Sequence, residues 1–363
     1  MSLHAVATAE TDTGVEQSHV YDGLGTEKDP FVVEFRKGDP GNPMNWSHFR
    51  KCVITAIATL SVFAVTLTSS AYSESSNEVM RDFDISSEVF ILGVSLYVLG
   101  FAVGPALWGP LIYISVLERS QGKKKPSEVF KRALLRPWVL LFLEPIGLVA
   151  STYMAIIYGT VYLFMGAMPV VYNQDRQWSE GIGGLAFLGI AVGIILGVVY
   201  SIYDNDRRYM KLFLSQKATA EARLPPAIVG ALALPVGMFA FAWTIYPSIH
   251  WSVGIILTAP FGAGCVLVIM PLINYLIDSY TIYAASVLAA AAIFRAIVGA
   301  AFPLFTNQLY AGLGVHWASS IPAFLTLLCM PFPLIMHRYG RMLRMKCKYS
   351  FEAAEMMKRM QSK

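Results

Sequence analysis

The sequence has little charge. Asp, Glu, Lys and Arg make up only 14% of its 363 residues, whereas 55% are hydrophobic. Because about a quarter of the residues in an ordinary soluble domain are charged, this composition excludes such a domain and predicts a polytopic membrane protein. The formal net charge is only +4. It gives no indication of a nucleic-acid partner, and we expect none.

Cysteine and histidine are scarce and are not arranged as ligands. The four cysteines, Cys52, Cys265, Cys329 and Cys347, lack the paired spacing of a disulfide framework or a zinc site. None of the six histidines lies deep in a long apolar run. We therefore expect cysteines that serve in packing, no metal and no cofactor. The polar cluster that a membrane-embedded enzyme would need is missing from the sequence.

The N-terminus lacks a signal peptide. Residues 1–17, MSLHAVATAETDTGVEQ, have neither the basic start nor the apolar centre of one. Glycines and prolines in residues 29–43 oppose a regular helix. We expect residues 1–50 to form a soluble cytoplasmic arm without regular structure.

What the sequence does contain is a series of long uncharged runs. The run that sets the orientation, residues 90–117, exceeds the roughly 20 residues that a helix needs to cross a bilayer. It is followed by a loop, residues 118–136, that contains seven Lys and Arg residues. Since basic loops lie on the cytoplasmic side of a membrane, this run predicts a span that ends inside the cell.

Seven further runs predict a total of eight transmembrane helices. The loop of residues 74–88 carries five acidic residues and one Arg and is expected outside, whereas residues 204–223 carry five basic residues and are expected inside. A basic tail follows the last run, so both termini are predicted to be cytoplasmic. The eight runs are residues 52–73, 90–117, 137–174, 181–203, 224–246, 251–277, 279–305 and 317–336.

Six segments, in order along the chain, resemble a known family. They are NPMNWSHFRK (42–51), GPALWGPL (104–111), RPWVLLFLEPI (136–146), YMAIIYGTVYLF (153–164), NYLIDSYTIYAAS (274–286) and FRAIVGAAFPLF (294–305). Together they resemble fungal major facilitator transporters of the twelve-helix drug:proton antiporter type, which include polyamine and multidrug exporters. The resemblance implies an all-α major facilitator fold and proton-coupled efflux of a small organic molecule across the plasma membrane. It implies no enzymatic activity.

The resemblance has a gap after Leu111. In the family the second helix continues into a charged loop and helices three to six, but here IYISVLERSQGKKK follows at once and resembles the family's central loop. The chain thus resembles helices one and two joined directly to helices seven to twelve. The implied regions are an arm (1–50), two helices of an incomplete N-terminal half (51–117), a basic loop (118–136), a complete six-helix C-terminal half (137–337) and a basic tail (338–363).

Two interpretations of function follow from this gap and remain open. The first is a transporter that exports a drug, toxin, secondary metabolite or polyamine in exchange for protons. The second is a transport-inactive, truncated or misspliced remnant of such a transporter. The expected partners are the lipid bilayer, a small-molecule substrate and protons. Helix faces that have lost their neighbours also predict self-association.

Charged groups at membrane depth are costly, so Arg295 and Glu144 each need a role. Arg295 is expected about 24 Å into its helix, at 1.5 Å per residue, where it either faces substrate or braces a neighbouring polar group. Glu144 is expected about two turns from the cytoplasmic end of its span. Burial there favours proton uptake, so Glu144 is either a proton-coupling carboxylate or a brace for the basic loop and the kink at Pro145.

A second group of candidates lies on helix faces. Tyr158, Tyr162 and Met165 share one face of the third span, which predicts either a pocket for flat, hydrophobic or cationic substrates or ordinary helix packing. Asn274 and Asp278 lie one turn apart at the cytoplasmic end of the sixth span. They predict a substrate contact or gate at this end, or alternatively a brace of the helix end.

Overall fold

A computed structural model of the chain describes residues 6–9, 17–20, 45–121, 135, 137–246 and 248–361. It divides into two units, the first formed by Met1–Thr68 and Leu111–Phe130, the second by Ser69–Pro110 and Lys131–Lys363. Most of the predicted arm and most of the basic loop that follows the second span lie outside the described residues.

The first unit contains a short hairpin that the sequence analysis did not predict. Strands β1 (Val6–Ala9) and β2 (Gln17–Val20) pair antiparallel, with Val6 opposite Val20. Alternating residues with β-branched valines favour such pairing. This hairpin is the one departure from an all-α fold among the described residues.

The rest of the described chain is helical. The helices are α1 (His48–Glu74), α2 (Ser76–Phe83), α3 (Ser87–Gln121), α4 (residues 137–143), α5 (Pro145–Pro169), α6 (Glu180–Gly183), α7 (Leu188–Asp204), α8 (Met210–Leu214), α9 (Pro225–Thr244), α10 (Trp251–Leu257), α11 (Ala259–Tyr280), α12 (Ala284–Cys329), α13 (Pro331–Lys346) and α14 (Lys348–Gln361).

Seven helical segments of the described chain are long and apolar enough to cross a membrane. They are Ser87–Gly104, Pro145–Asn173, Gly181–Leu214, Pro225–Thr244, Trp251–Tyr280, Ala284–Thr306 and Gln308–Lys346. They correspond to the second to eighth predicted spans and confirm a polytopic, all-α membrane protein. The first predicted span lies within α1, which is not among the seven, so its crossing of the membrane stays a prediction.

Small residues on α7 allow close packing in the second unit. A Cβ added to Gly189 or Gly193 would collide with the carbonyl oxygen of Ile255 or Ala259, and one on Gly197 would lie 2.9 Å from the carbonyl oxygen of Ala263. Glycines at this four-residue spacing bring helix backbones together. The stripe therefore holds α7 against α10 and α11.

Helices α5, α9 and α12 form the other side of this bundle. α12 packs along both α5 and α9, and α11 joins α7 to α9. The ring of Phe164 on α5 stacks on Phe261 of α11, with centroids 4.7 Å apart. Within a bilayer, such interlocking of side chains replaces the hydrophobic effect as the force that joins helices.

The third predicted span is interrupted near its start. Glu144 separates α4 from α5 and has an extended conformation with φ −109° and ψ 99°. Pro145 is the first residue of α5, a position where its missing N–H and fixed φ are tolerated. The predicted break at Pro145 is thus present, and it leaves the Glu144 side chain at a helix N-terminus.

Two boundaries in the C-terminal part differ from the predictions. Ser279 was expected to start the seventh span, but it belongs to α11, and the chain turns at Thr281, where φ is +33°. The expected loop before the eighth span is reduced to Gly314, whose φ of +71° breaks α12. Only glycine adopts that conformation readily, so one residue replaces the loop.

Candidate functional site

A cluster of one cation and two aromatic rings lies where α5 meets α12. The guanidinium carbon of Arg295 on α12 is 5.2 Å from the ring centroid of Tyr158 on α5. The rings of Tyr158 and Tyr162 meet edge to face with centroids 5.1 Å apart, and their hydroxyl oxygens are 3.4 Å apart. The structure therefore brings these three candidate residues together, and we call them the aromatic–arginine cluster.

Helix α3 borders the same cluster. Val98 of α3 is fully buried and packs with Tyr162 and Ala300, and Val94, Tyr158 and Met165 pack against that group. Gly299 of α12 is needed for this approach, because a Cβ there would lie 2.7 Å from the Tyr158 ring. The second span thus contributes apolar surface beside the candidate site.

Arg295 lacks the polar partner that a structural brace would require. It is half-buried, and within the described part of the chain its only recorded interaction is the one with the Tyr158 ring. The guanidinium carries five N–H donors. A charge at membrane depth is stabilised by hydrogen bonds or a counter-ion, so these donors remain able to bind an acceptor.

Glu144 is in the opposite situation. Its side chain is 1% exposed. Oε2 accepts a hydrogen bond of 3.1 Å from the Tyr280 hydroxyl, and Oε1 accepts one of 2.9 Å from the backbone N–H of Tyr349. The carboxylate joins the start of α5 to the end of α11 and to the tail helix α14. Its hydrogen bonds run to these elements, whereas most of the basic loop that the sequence suggested as a partner lies outside the described residues.

The tail helix α14 is docked on the bundle by further contacts. The hydroxyl of Ser350 donates to the carbonyl oxygen of Ser279 at 3.1 Å, and that of Tyr283 donates to Glu352 at 3.3 Å. Burial, with a contribution from the neighbouring Glu144, raises the pKa of the Cys347 thiol to about 11. The tail therefore packs on protein rather than forming a solvated extension.

Three of the four cysteines pack as predicted, and one does not. Cys265, Cys329 and Cys347 are buried free thiols, whereas Cys52 is exposed on α1. Among the described residues there is also no group of three His, Cys, Asp or Glu side chains that could hold a metal ion.

Asn274 does not join the aromatic–arginine cluster. It lines a separate cavity of about 240 Å³ near the C-terminal ends of α7 and α11, together with Ser201, Arg208 and Arg223. Its neighbour Asp278 forms an ion pair of 3.0 Å with Arg223. For Asp278 this geometry favours the brace. The substrate contact predicted for Asn274 stays a prediction, at a place distinct from the other candidates.

Sequence reasoning missed two ion pairs at this end of the bundle. Asp204 and Arg208 pair at 2.6 Å, and Arg208 also donates to the carbonyl oxygen of Ala222. Glu221 accepts two hydrogen bonds of 2.9 Å from Arg344. The spacing of Asp204 and Arg208, one helical turn apart, was a visible signal. The second pair joins residues 123 positions apart, and no local pattern indicates it.

Comparisons with known proteins agree with this architecture. The family model described as Major Facilitator Superfamily matches residues 111–303. The chain is 54% identical over 501 aligned residues to the major facilitator-type transporter sorT of Penicillium rubens, covering 99% of this chain and 96% of sorT. It is 36% identical over 481 residues to the multidrug transporter mdrA of Aspergillus fumigatus, covering 94% and 79%.

A third relative is the efflux pump FUB11 of Gibberella moniliformis, with 36% identity over 483 residues and coverage of 94% of this chain and 81% of the pump. The fold defines a helical transporter of the membrane. The comparisons make the assignment specific: the chain belongs to the major facilitator superfamily, whose members move small molecules across membranes. Its resemblance to fungal drug-efflux transporters is confirmed.

Proposed function

We propose that this transporter scaffold exports a flat organic molecule that carries a hydrogen-bond acceptor, and that the aromatic–arginine cluster binds it. The observation that supports this is the guanidinium of Arg295, half-buried and without a hydrogen bond or ion pair within the described part of the chain. Sites between helices near the midplane are where such transporters bind substrate.

The geometry of the cluster narrows the substrate class. Arg295 already lies over one face of Tyr158 at 5.2 Å, so a second cation at that ring would be repelled. The N–H donors of Arg295 match carboxylate, phenolate or carbonyl oxygens. The rings of Tyr158 and Tyr162 offer stacking surface to a planar group. We therefore favour an acidic or carbonyl-bearing aromatic compound over a polyamine.

Export in exchange for protons requires a group that changes its protonation, and we propose Glu144. Its two hydrogen bonds come from the Tyr280 hydroxyl and the Tyr349 N–H. Protonation removes the charge that both donors stabilise and loosens the link between α5, α11 and α14. In a form that transports, Glu144→Gln should remove the dependence of export on the pH gradient. Unchanged pH dependence would exclude this role.

We also propose that this chain does not complete the export cycle alone. The alignment with sorT has 501 positions and the chain has 363 residues, so at least 138 positions (501 minus 363) have no counterpart here. Four spans of about 25 residues with short loops need about 130 residues. The length supports loss of helices three to six, and alternating access needs two comparable bundles.

The test compares this chain with a form in which the four spans are restored. Both are expressed in cells that lack endogenous exporters, and efflux of acidic aromatic compounds, cationic drugs and polyamines is measured with and without a proton gradient. We expect proton-dependent efflux of the acidic compounds by the longer form alone. Robust efflux by the 363-residue chain would contradict the inactive form, and preferential export of polyamines would contradict the substrate class.

We propose a plasma-membrane location with both termini in the cytoplasm, no enzymatic activity, and self-association through helix faces left without neighbours. The charge distribution of the loops supports the orientation. A single cysteine placed between Ser75 and Ser87, in a chain without other cysteines, should react with an impermeant reagent from outside. One placed between Ser120 and Phe130 should not. The reverse labelling pattern would overturn the orientation.

A further inference from the structure

A cavity near the C-terminal ends of α7 and α11 has no role in the proposed transport site. It measures about 240 Å³. Enclosed pockets for whole small molecules usually measure about 300–1,000 Å³, so this one suits part of a molecule rather than all of one. Its lining residues are Val198, Ser201, Ile202, Asp204, Asn205, Arg208, Tyr209, Arg223, Pro226, Val266, Met270, Pro271 and Asn274.

The polar side of the cavity has donors without partners. The hydroxyl of Ser201 is buried and makes no hydrogen bond. In the described part of the chain the Asn274 amide has no recorded hydrogen bond, and Arg223 donates only through Nε, to Asp278. The guanidinium carbon of Arg223 lies 3.6 Å from the centroid of the Tyr209 ring. Hydroxyl, amide and guanidinium groups can all donate, so together they suit a ligand rich in acceptor oxygens.

The donors of the lining, rather than its net charge, favour an acceptor such as an anion. Asp204 is neutralised by Arg208, which donates to both of its carboxylate oxygens. Arg223 pairs through Nε with Asp278, which is not among the lining residues, and its remaining N–H donors stay available to a further acceptor. Arg207 lies in the same turn and is exposed.

The other side of the cavity is apolar and opens to the surface of the bundle. Val198 is 38% exposed, Ile202 57% and Met270 54%. These residues belong to α7 and α11, two helices long enough to cross the membrane. An apolar surface at that position faces lipid chains, and it runs directly into the polar side of the cavity.

We propose that this cavity binds the headgroup phosphate of an anionic phospholipid, with its acyl chains along Val198, Ile202 and Met270. Basic pockets between membrane helices at the cytoplasmic side are suited to anionic headgroups. The phosphate accepts hydrogen bonds from Arg223, Asn274 and Ser201. The bound lipid thus gives Ser201 and Asn274 an acceptor that they lack among the described residues, and it uses donors of Arg223 that the bond to Asp278 leaves free.

The experiment measures lipid retention by native mass spectrometry. The full chain is purified in mild detergent and titrated with phosphatidylserine or phosphatidylcholine. We expect one phosphatidylserine to remain bound, with an affinity about tenfold above that of phosphatidylcholine, and Arg223→Gln to lower that affinity about tenfold because a charge-assisted hydrogen bond is lost. Arg207→Gln, which makes the same charge change outside the lining, should stay within about twofold.

A second variant covers the case in which Arg223→Gln does not fold. Asn274→Leu keeps the side-chain volume and removes the amide, and its thermal midpoint is measured beside its lipid affinity. We expect at least a roughly threefold loss of phosphatidylserine binding with the midpoint unchanged. Unchanged binding in Asn274→Leu would overturn the proposal.

The remaining outcomes are equally decisive. Equal losses in Arg223→Gln and Arg207→Gln would indicate diffuse surface attraction and overturn the site. Equal retention of the two lipids would overturn the preference for an anion. Displacement of phosphatidylserine by inorganic phosphate or by oleate at comparable concentrations would assign the cavity to a free anion or a fatty acid, and the phospholipid proposal would fail.

Discussion

The two charged side chains predicted at membrane depth have opposite surroundings. Glu144 is 1% exposed and accepts hydrogen bonds from Tyr280 and Tyr349. Arg295 is half-buried and rests on the face of Tyr158, without a hydrogen bond or ion pair in the described part of the chain. Glu144 lies at the N-terminus of α5, whereas Arg295 belongs to α12 and lies beside the middle of α5.

The difference separates a group that stabilises the fold from one that is available to a ligand. A buried carboxylate with two donors, at the positive end of a helix, contributes to stability and leaves little capacity for a further partner. An arginine with unused donors gives up stability that an acceptor would restore. A substitution at one of these two residues, or at one of its partners, therefore tests one set of surroundings without changing the other.

The largest effect on transport is expected at Arg295. In a transporting form with the four spans restored, Arg295→Ala should lower efflux at least about tenfold, a loss of about 1.4 kcal/mol in binding, while membrane abundance stays unchanged because no internal hydrogen bond is lost. Arg338→Ala, at an exposed position of α13, is the matched control. Efflux and surface abundance are measured together. Disappearance of Arg295→Ala from the membrane would assign Arg295 to structure.

The largest effect on the free energy of unfolding is expected at Glu144. Glu144→Ala leaves the Tyr349 N–H and the Tyr280 hydroxyl unpaired. We expect a loss of about 2–4 kcal/mol in the free energy of unfolding, since each buried unpaired donor costs about 1–3 kcal/mol. Denaturant titration in mixed micelles measures it. The exposed Glu78 provides the control, and Glu78→Ala should change stability by less than about 0.5 kcal/mol. Equal losses would show that Glu144 has no special role in bracing.

The sequence predicted much of this fold because membrane spans are long and nearly uncharged. The runs for α3, α7 and α9 are continuous, and they end near charged loops or a proline. The four-residue spacing of Gly189, Gly193 and Gly197, at which α7 packs closely, is also visible in the sequence. Gly314 was different. A single positive φ breaks α12 there, inside the predicted loop of residues 306–316, but the sequence did not indicate that the residues on both sides of Gly314 would be helical.

The candidate site was predictable only in part. Residues one turn apart on one helix, such as Tyr158 and Tyr162, share a face by geometry alone. The partners of Glu144 were not predictable, because Tyr349 is 205 residues away and binds through its backbone. The sequence also could not predict that Asn274 and Arg295 lie at separate places, because packing between the spans decides which way each helix face points. Distant pairings of this kind leave no local pattern.

A smaller effect isolates one bond of the Glu144 brace. Tyr349 is the second residue of α14, where proline fits a helix but has no N–H. Tyr349→Pro should therefore lose the bond to Oε1 and about 1 kcal/mol of stability beyond the loss in Tyr349→Ala. The alanine variant keeps the N–H and removes only the ring that packs on Tyr283. If both variants unfold at the same denaturant concentration, the backbone bond contributes nothing.

The smallest effect concerns pH at the same end of α5. Burial beside Glu144 raises the pKa of the Cys347 thiol from 9.0 to about 11. Because the folded value is the higher one, the thiol's contribution is fully present below pH 9 and is lost as pH rises towards 11. We expect the free energy of unfolding to fall by less than about 1 kcal/mol over this range, after screening by solvent.

The part of this fall in the free energy of unfolding that comes from the Cys347 thiol should be absent in Cys347→Ala. Tyrosines and lysines also titrate in this window, so the informative quantity is the difference between the parent chain and the variant at each pH. Cys52→Ala, which removes an exposed thiol, should show the same pH dependence as the parent. A Cys347→Ala curve parallel to the parent curve from pH 8 to pH 11 would mean that the thiol titrates alike in the folded and unfolded states. The packing of α14 around Glu144 would then be looser than the two hydrogen bonds indicate, and the contrast with Arg295 would weaken accordingly.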